Sequence, residues 1–277
     1  MQPKPTPYII SPPKGLVRIN LPELWRYREL FYIFVWRDIK VRYKQTVLGL
    51  IWAIFQPFAT MIIFTVFFGR LAKIPSDSIP YPIFVYTGLL FWTYYQTALT
   101  NATSCLVENE SIIKKVYFPR LILPISTTIT PLIDFASALC VLFGLMIYYH
   151  YTPHLAGIIV LPILLVMSTI SASGLGLYLA SLNVKYRDVR YVVPFFIQML
   201  LFVTPVIYPV SLIPQKLQWL IYLNPMTAVI TLARNLLLGS GTIEWRYIGI
   251  SLLSSMIIFI LGVAFFRKTE RFFADLI

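Results

Sequence analysis

One polar segment, ENESIIKKVYFPR at residues 108–120, separates two long stretches of this chain that are almost free of charge. Residues 78–107 before it contain no charged side chain, and residues 121–184 after it contain only Asp134. A helix crosses the hydrocarbon of a bilayer with about 20 apolar residues, and both stretches are longer. Backbone groups in lipid must pair within their own segment, so both stretches predict membrane-spanning helices. The segment 108–120 is then a short polar connection held between two such helices.

The composition supports this interpretation over the whole chain. Of its 277 residues 58% are hydrophobic and 12% are charged, with a mean hydropathy of +0.76. A soluble domain carries about 25% charged residues. These values predict an all-α integral membrane protein. Its six predicted membrane-spanning helices cover residues 47–68, 82–104, 121–148, 155–182, 191–208 and 247–266.

The net charge of +12 is distributed as the positive-inside rule requires. Of the 23 Lys and Arg residues, nine lie in residues 1–48, and three follow each of the second, fourth and sixth predicted helices. The connections on the opposite side carry the other five. We therefore predict that both termini are cytoplasmic. Because the cations are scattered over separate loops, they do not predict a nucleic-acid surface.

The amino-terminal part reads as a helix that lies at the membrane surface. We predict a cytoplasmic tail at residues 1–19, an amphipathic interface helix at 20–46, the transmembrane domain at 47–266 and a cytoplasmic tail at 267–277. Asn20 is the expected N-cap, and Glu23 completes a capping box. Four cations near the end of this helix either anchor the topology or bind a lipid phosphate: Arg37, Lys40, Arg42 and Lys44.

Residues 209–243 contain two apolar pieces, each too short to cross a bilayer. Asn224-Pro225 separates them, and Arg234 lies in the second. If this region crossed the membrane once, the basic carboxyl terminus would lie outside. We therefore predict a re-entrant helical hairpin that dips into the outer leaflet and contributes Asn224, Pro225 and Arg234 to an external gate or pathway.

Polar residues recur along several predicted membrane helices at helical spacing. They either line a water-filled path or hydrogen-bond neighbouring helices. Asp134 is the one ionisable residue well inside a predicted span, and it has no evident basic partner in the sequence. The spacing of Ser168, Ala172, Gly176 and Ala180 instead predicts a close-packing face. The candidate path-lining residues are Trp52, Gln56, Thr60, Trp92, Thr93, Gln96, Thr97, Thr100 and Asp134.

The chain lacks the Gly-x-x-x-x-Gly-Lys-[Ser/Thr] pattern that cradles nucleotide phosphates, and it shows no metal-ligand spacing. It is therefore not predicted to be an enzyme by itself. Residues 108–119 instead predict a docking helix for a partner protein. Its candidate contact residues are Ser111, Ile112, Ile113, Lys114, Val116 and Tyr117.

Five motifs follow one another over nearly the whole chain. They are WRDIKVRYKQ at 36–45 with Leu48-Gly49 and Trp52, KKVYFPR at 114–120 with Leu123-Pro124, YRDVR at 186–190, PVIYP at 205–209, and LNPM at 223–226 followed by Arg234. In this order they resemble the membrane subunits of bacterial type-2 ABC exporters for polysaccharides, which are the permeases for O-antigen, capsule and teichoic acid.

The resemblance implies a homodimer in the bacterial inner membrane with two ATP-binding subunits below it. ATP and magnesium would be bound by those subunits, and this chain would bind no cofactor. Residues 108–119 would be the coupling helix seated on the ATPase, and the hairpin would shape the external mouth. The substrate would be a glycan, often carried on a polyprenyl pyrophosphate.

The leading hypothesis is an ATP-driven exporter of an O-antigen-like, lipid-linked polysaccharide through a channel between two protomers. The alternatives are an exporter of teichoic acid, or of a drug or small lipid. A membrane-embedded glycosyltransferase or lipid phosphatase would need clustered carboxylates, His or Arg at one membrane face, which the sequence does not show.

Overall fold

The computed structural model describes residues 21–44, 49–186, 188–239 and 243–273, and every regular element in these ranges is a helix. This confirms the predicted all-α class. The tail 1–19 and the predicted N-cap Asn20 lie outside the described residues. The α-helices are α1 (Leu21–Arg26), α2 (Arg28–Lys44), α3 (Gly49–Phe64), α4 (Tyr81–Glu108), α5 (Glu110–Lys115), α6 (Ile122–Ile129), α7 (Leu132–Tyr148), α8 (Leu155–Lys185), α9 (Val189–Val203), α10 (Gln215–Ile221), α11 (Pro225–Leu238) and α12 (Trp245–Thr269).

Four helical stretches in the described part of the chain are long and apolar enough to cross a membrane. They are Ile51–Leu71, in which α3 continues into a π-helix, Ile122–Tyr148, Leu155–Lys185 and Trp245–Phe272. The pair α10 and α11 meets the same criteria only jointly and is bent by 112°, as a broken span or a re-entrant loop would be. The helix α9, with 15 residues, is shorter than these four.

The helix α4 lies at the centre of the bundle. Its 28 residues are long enough to span a bilayer, but its many Tyr, Trp, Thr and Gln side chains lower its hydropathy. Most of its surface is nevertheless buried, because α3, α6, α7, α8 and α11 pack around it. Neighbouring helices rather than lipid therefore cover its polar aromatic side chains.

The predicted close-packing face of α8 is confirmed. Ser168, Ala172 and Ala180 are buried, and a Cβ atom at Gly176 would lie 2.6 Å from the Cβ of Ala102 on α4. On another side of α8, a Cβ at Gly262 of α12 would lie 2.0 Å from the carbonyl oxygen of Gly174. Small residues thus let the backbones of α4, α8 and α12 approach closely.

Prolines explain two differences from the predicted helix boundaries. The stretch 121–148 is two helices, since the chain turns at Thr130–Pro131, where proline cannot continue the hydrogen-bond ladder. The predicted helix 191–208 ends at Val203, because Thr204 precedes Pro205 and takes an extended conformation.

Three other predicted elements have different lengths in the structure. The interface helix 20–46 is divided at Tyr27 into α1 and α2. Within the predicted docking helix 108–119, Glu108 is the last residue of α4 and a separate short helix covers Glu110–Lys115. Val116 after it is extended. The hairpin contains α10 and α11, where Asn224 caps α11 by accepting a hydrogen bond from Met226 N (3.1 Å) and Gly239 ends it at φ +69°.

Candidate functional site

One polar strip on α4 is exposed although the rest of that helix is mostly buried. This α4 stripe consists of Thr93, Gln96, Thr97 and Thr100, whose spacing of three and four residues places them on one helical face. Gln96 and Thr100 are exposed, and Thr93 and Thr97 are half-buried. The stripe offers hydroxyl and amide groups without charge. Such groups are poorly satisfied by lipid chains, so this face suits water, a polar ligand or another protein chain.

Trp92 does not belong to this exposed face. Its side chain is 2% exposed, and its indole Nε1 donates a hydrogen bond to Gln96 Oε1 at 3.2 Å. The prediction that Trp92 lines a path is therefore wrong for the single chain, because helical spacing turns this residue toward the core. Trp92 instead orients the Gln96 amide from the buried side of α4.

The candidate residues on α3 are more open. Trp52 is 60% exposed, Gln56 is exposed and Thr60 is half-buried. Thr60 Oγ1 donates to the carbonyl oxygen of Gln56 (2.9 Å), a bond within the helix. The helix α3 packs against α4 and α7 and leaves much of its surface uncovered.

Asp134 has a basic partner, so the expectation that it lacks one is wrong. Arg42 Nη2 lies 2.6 Å from Asp134 Oδ2, and the Tyr43 hydroxyl donates to Asp134 Oδ1. Burial and this hydrogen bond raise the pKa of Tyr43, which keeps the phenol protonated as a donor. The acid thus fastens the end of α2 to the start of α7.

The four cations proposed for a lipid phosphate differ in their surroundings on α2. Arg37 faces Asp38 (2.8 Å) and Asn109, and Arg42 faces Asp134, while Lys40 and Lys44 are exposed. The arginines therefore act as structural ties between helices in this conformation.

The residues proposed for an external gate are tied to the core. Arg234 is 4% exposed and donates to the carbonyl oxygens of Phe84, Pro205 and Val206 at 3.0, 2.7 and 2.6 Å. Asn224 Nδ2 donates to Thr204 Oγ1 (2.7 Å), and Pro225 is buried at the start of α11. These contacts hold the bent pair α10–α11 against α4 and the segment that follows α9.

The segment after α4 has one buried and one exposed side. We call residues 110–120 the coupling segment. Ile113 is 7% exposed and belongs to the core, whereas Val116 and Tyr117 are 55% and 69% exposed. Ile113 is thus mostly turned toward the core, and its predicted part in a contact surface stays a prediction. Ser111 and Lys114 are exposed, and Ile112 is half-buried. A pocket of about 190 Å³ lies here, lined by Ile113, Lys114, Lys115, Val116, Tyr117, Phe118 and Arg120.

The helix α2 contacts the connection between α4 and α5. Arg37 Nη1 donates to Asn109 Oδ1 at 2.7 Å, and Asn109 Nδ2 donates to the carbonyl oxygen of Cys105 at 2.8 Å. The rings of Phe34 and Phe118 lie 5.6 Å apart beside this connection. A displacement of α5 would therefore be transmitted to α2.

Comparison with known proteins identifies the group to which this arrangement belongs. Residues 29–238 match the family described as ABC-2 type transporter. The chain belongs to the ABC-2 type transporter family. This confirms the resemblance seen in the sequence motifs.

Several curated relatives of this ABC-2 transporter align over almost their whole length. Two O-antigen export system permease proteins RfbA from Klebsiella pneumoniae are 29% and 30% identical over 249 residues, which is 90% of this chain and 95% of each relative. The polysialic acid transport protein KpsM of Escherichia coli is 22% identical over 243 residues, covering 85% and 91%.

Sequence reasoning missed the residues that tie this ABC-2 transporter together at the coupling segment. They are Phe34, Asn109, Phe118, Arg120, Glu270 and Phe273. The one sequence signal was that Asn109, Phe118 and Arg120 lie within the polar segment. In the described residues no group of three or more His, Cys, Asp or Glu side chains is placed to hold a metal ion.

Proposed function

We propose that this chain is the membrane subunit of an ATP-driven exporter that moves a polysaccharide out of a bacterial cell across its inner membrane. The α4 stripe carries the proposal. It is a polar, uncharged and exposed face on the central helix of a membrane protein. Two copies that face each other through this stripe would enclose a polar channel, and lipid would be kept away from it.

The chemistry of the stripe suits a neutral glycan. Hydroxyl and amide side chains exchange hydrogen bonds with sugar hydroxyls, and no charge in residues 78–107 would trap or repel the polymer. The relatives named for O-antigen export and polysialic acid transport support a polysaccharide substrate. An O-antigen-like chain on a polyprenyl pyrophosphate is the form we propose.

The proposed topology has six crossings, with α4 and α9 added to the four long apolar stretches. The pair α10–α11 is proposed to re-enter from the outside, which keeps both termini cytoplasmic and agrees with the charge distribution. The coupling segment then faces the cytoplasm, where Val116 and Tyr117 expose apolar surface to water. A separate ABC ATPase that binds ATP and magnesium is the proposed partner for this surface.

Of the four cations predicted to bind a lipid phosphate, the two arginines face protein partners. We therefore propose that the two lysines, Lys40 and Lys44, approach the pyrophosphate of the carrier lipid. Both side chains are exposed at the end of α2. An ammonium group binds phosphate as a point charge and needs no preformed geometry.

The channel proposal is tested by filling the α4 stripe. We expect Thr100→Trp to abolish surface display of the glycan in the native host, because the indole would obstruct a path between two copies. The ATPase subunit should still copurify with this variant. Val166→Trp adds similar bulk at a 59% exposed position of α8 and should leave display unchanged. Normal display with Thr100→Trp would refute the channel.

A further inference from the structure

The described carboxyl-terminal residues pack against the coupling segment, and they do so through Arg120. The backbone N–H of Arg120 donates to Glu270 Oε1 at 3.3 Å, and its Nη1 donates to the carbonyl oxygen of Glu270 at 2.5 Å. The guanidinium also lies 5.8 Å from the centre of the Phe273 ring. One residue of the coupling segment thus makes three contacts with the short helical turn that follows α12.

This turn is itself firmly held. Phe273 is fully buried and meets the Phe266 ring edge-on at 5.2 Å. Glu270 Oε2 pairs with Arg267 Nη1 at 2.9 Å, and both side chains are less than one-fifth exposed. Phe272, the residue before Phe273, is 56% exposed. The burial of Phe273 beside the exposed Arg271 and Phe272 shows that the turn has a defined orientation on α12.

The coupling segment is therefore held at both of its ends. Directly before its first residue Arg37 of α2 binds Asn109, and at its end Arg120 binds Glu270 and Phe273. Phe118, between these two attachments, is 3% exposed, whereas the side chains of Val116 and Tyr117 are exposed. A force applied to Val116 and Tyr117 would thus be transmitted to α2 at one end of the segment and to α12 at the other.

We propose that residues 270–273 form a carboxyl-terminal clamp that positions the coupling segment and transmits its motion to α12. Glu270 and Phe273 are the positioning residues. Because α12 packs along α8, which packs along α4, the clamp links the coupling segment to the central helix by a second route. The inference rests on the proposed function, since it assumes that an ATPase loads the coupling segment.

The clamp is tested first on the full permease alone, in lipid nanodiscs, by hydrogen exchange of the coupling segment. Phe273→Ala and Glu270→Ala should raise the exchange rate of the Arg120 amide about tenfold, because its acceptor loses support. Phe272→Ala removes the same ring from an exposed site and should leave exchange unchanged. Glu270→Gln keeps an oxygen acceptor and should change exchange less than Glu270→Ala. Unchanged exchange in both alanine variants would overturn the clamp.

The second readout uses the complex with the ATPase subunit. In Phe273→Ala we expect the ATPase to remain bound and to hydrolyse ATP, while surface display of the native glycan is lost. Phe273→Leu, which keeps most of the buried apolar volume but loses the ring contact with Arg120, should restore part of the display. Normal display in Phe273→Ala, or loss of display that Phe273→Leu does not restore, would overturn the transmitting role. Failure of the wild-type permease to bind any ABC ATPase would instead refute the proposed function and leave the exchange result intact.

Discussion

Arg234 shows how one side chain can hold a bent segment inside a membrane protein. Its guanidinium reaches three backbone carbonyl groups, two of them in the non-helical segment that follows α9 and one in α4. The same group lies 3.6 Å from the centre of the Phe84 ring. A Cβ atom at Gly88 would come within 2.5 Å of Arg234 Nη2, so glycine leaves room for the guanidinium. The residue predicted for an external gate is thus a structural tie between three elements.

Replacing Arg234 with lysine keeps the charge but removes the planar fork that reaches three acceptors. We expect Arg234→Lys to lower the free energy of unfolding by about 2 kcal/mol, since charge-assisted hydrogen bonds are lost. Thermal unfolding of the purified permease in detergent measures the effect. Arg246→Lys, at an exposed site near the start of α12, is the control and should melt like the wild type. Equal melting temperatures for the two variants would contradict this role of Arg234.

At the scale of elements, α8 and α12 touch through their glycines. A Cβ atom at Gly174 would lie 2.5 Å from the Cα atom of Phe259, and one at Gly262 would overlap Gly174. Such contacts require small residues because dispersion and backbone proximity, rather than hydrophobic exclusion, hold helices together in lipid. The position of α12, and with it the carboxyl-terminal clamp, depends on this crossing.

The crossing predicts opposite effects for two glycines of the same helix. Gly262→Ala should lower the free energy of unfolding by about 3 kcal/mol, because the added methyl group forces the helices apart. Gly249→Ala meets no atom within 4 Å. It should be neutral or stabilising by up to about 1 kcal/mol, the difference in helix propensity. Chemical unfolding in micelles would distinguish them, and a fully stable Gly262→Ala protein would show that the helices are not held this closely.

At the scale of the whole molecule, the side of the membrane on which the carboxyl-terminal residues lie depends on whether α10–α11 crosses the membrane or re-enters on one side. A re-entrant pair returns the chain to the side from which it came, whereas a crossing pair would carry α12 through in the opposite direction. With α9 as a crossing, the re-entrant arrangement puts the cations that follow α12 on the same side as the coupling segment, as the positive-inside rule favours.

Labelling of single cysteines tests this arrangement in a protein without Cys105 and Cys140. We expect Lys216→Cys, in the first turn of α10, and Glu244→Cys, just before α12, to react with a membrane-impermeant maleimide in spheroplasts, since both positions are exposed. Ser111→Cys should react only after lysis. If Lys216→Cys reacts in intact spheroplasts and Glu244→Cys does not, the pair crosses the membrane and the six-crossing topology is wrong.

Local patterns were enough to predict much of the fold. Helices in the charge-free stretches and close packing by the small residues of α8 depend on side chains that are near in sequence, and the structure has both, although α4 is not among its four long apolar stretches. The helix ends at Ile129 and Val203 were missed, although the proline two residues beyond each end carries a signal for it.

The amino-acid sequence by itself determined that this chain is a helical integral membrane protein. It also determined that one polar segment, the coupling segment, separates two long apolar stretches. Tertiary structure alone decided which residues meet: Arg42 with Asp134, Arg37 with Asn109, and Arg120 with Glu270. It also turned Trp92 and Ile113 inward. The physical reason is that hydropathy and spacing act within a few residues. A contact between distant side chains depends on the rotation and depth of each helix, which close packing of the whole bundle sets.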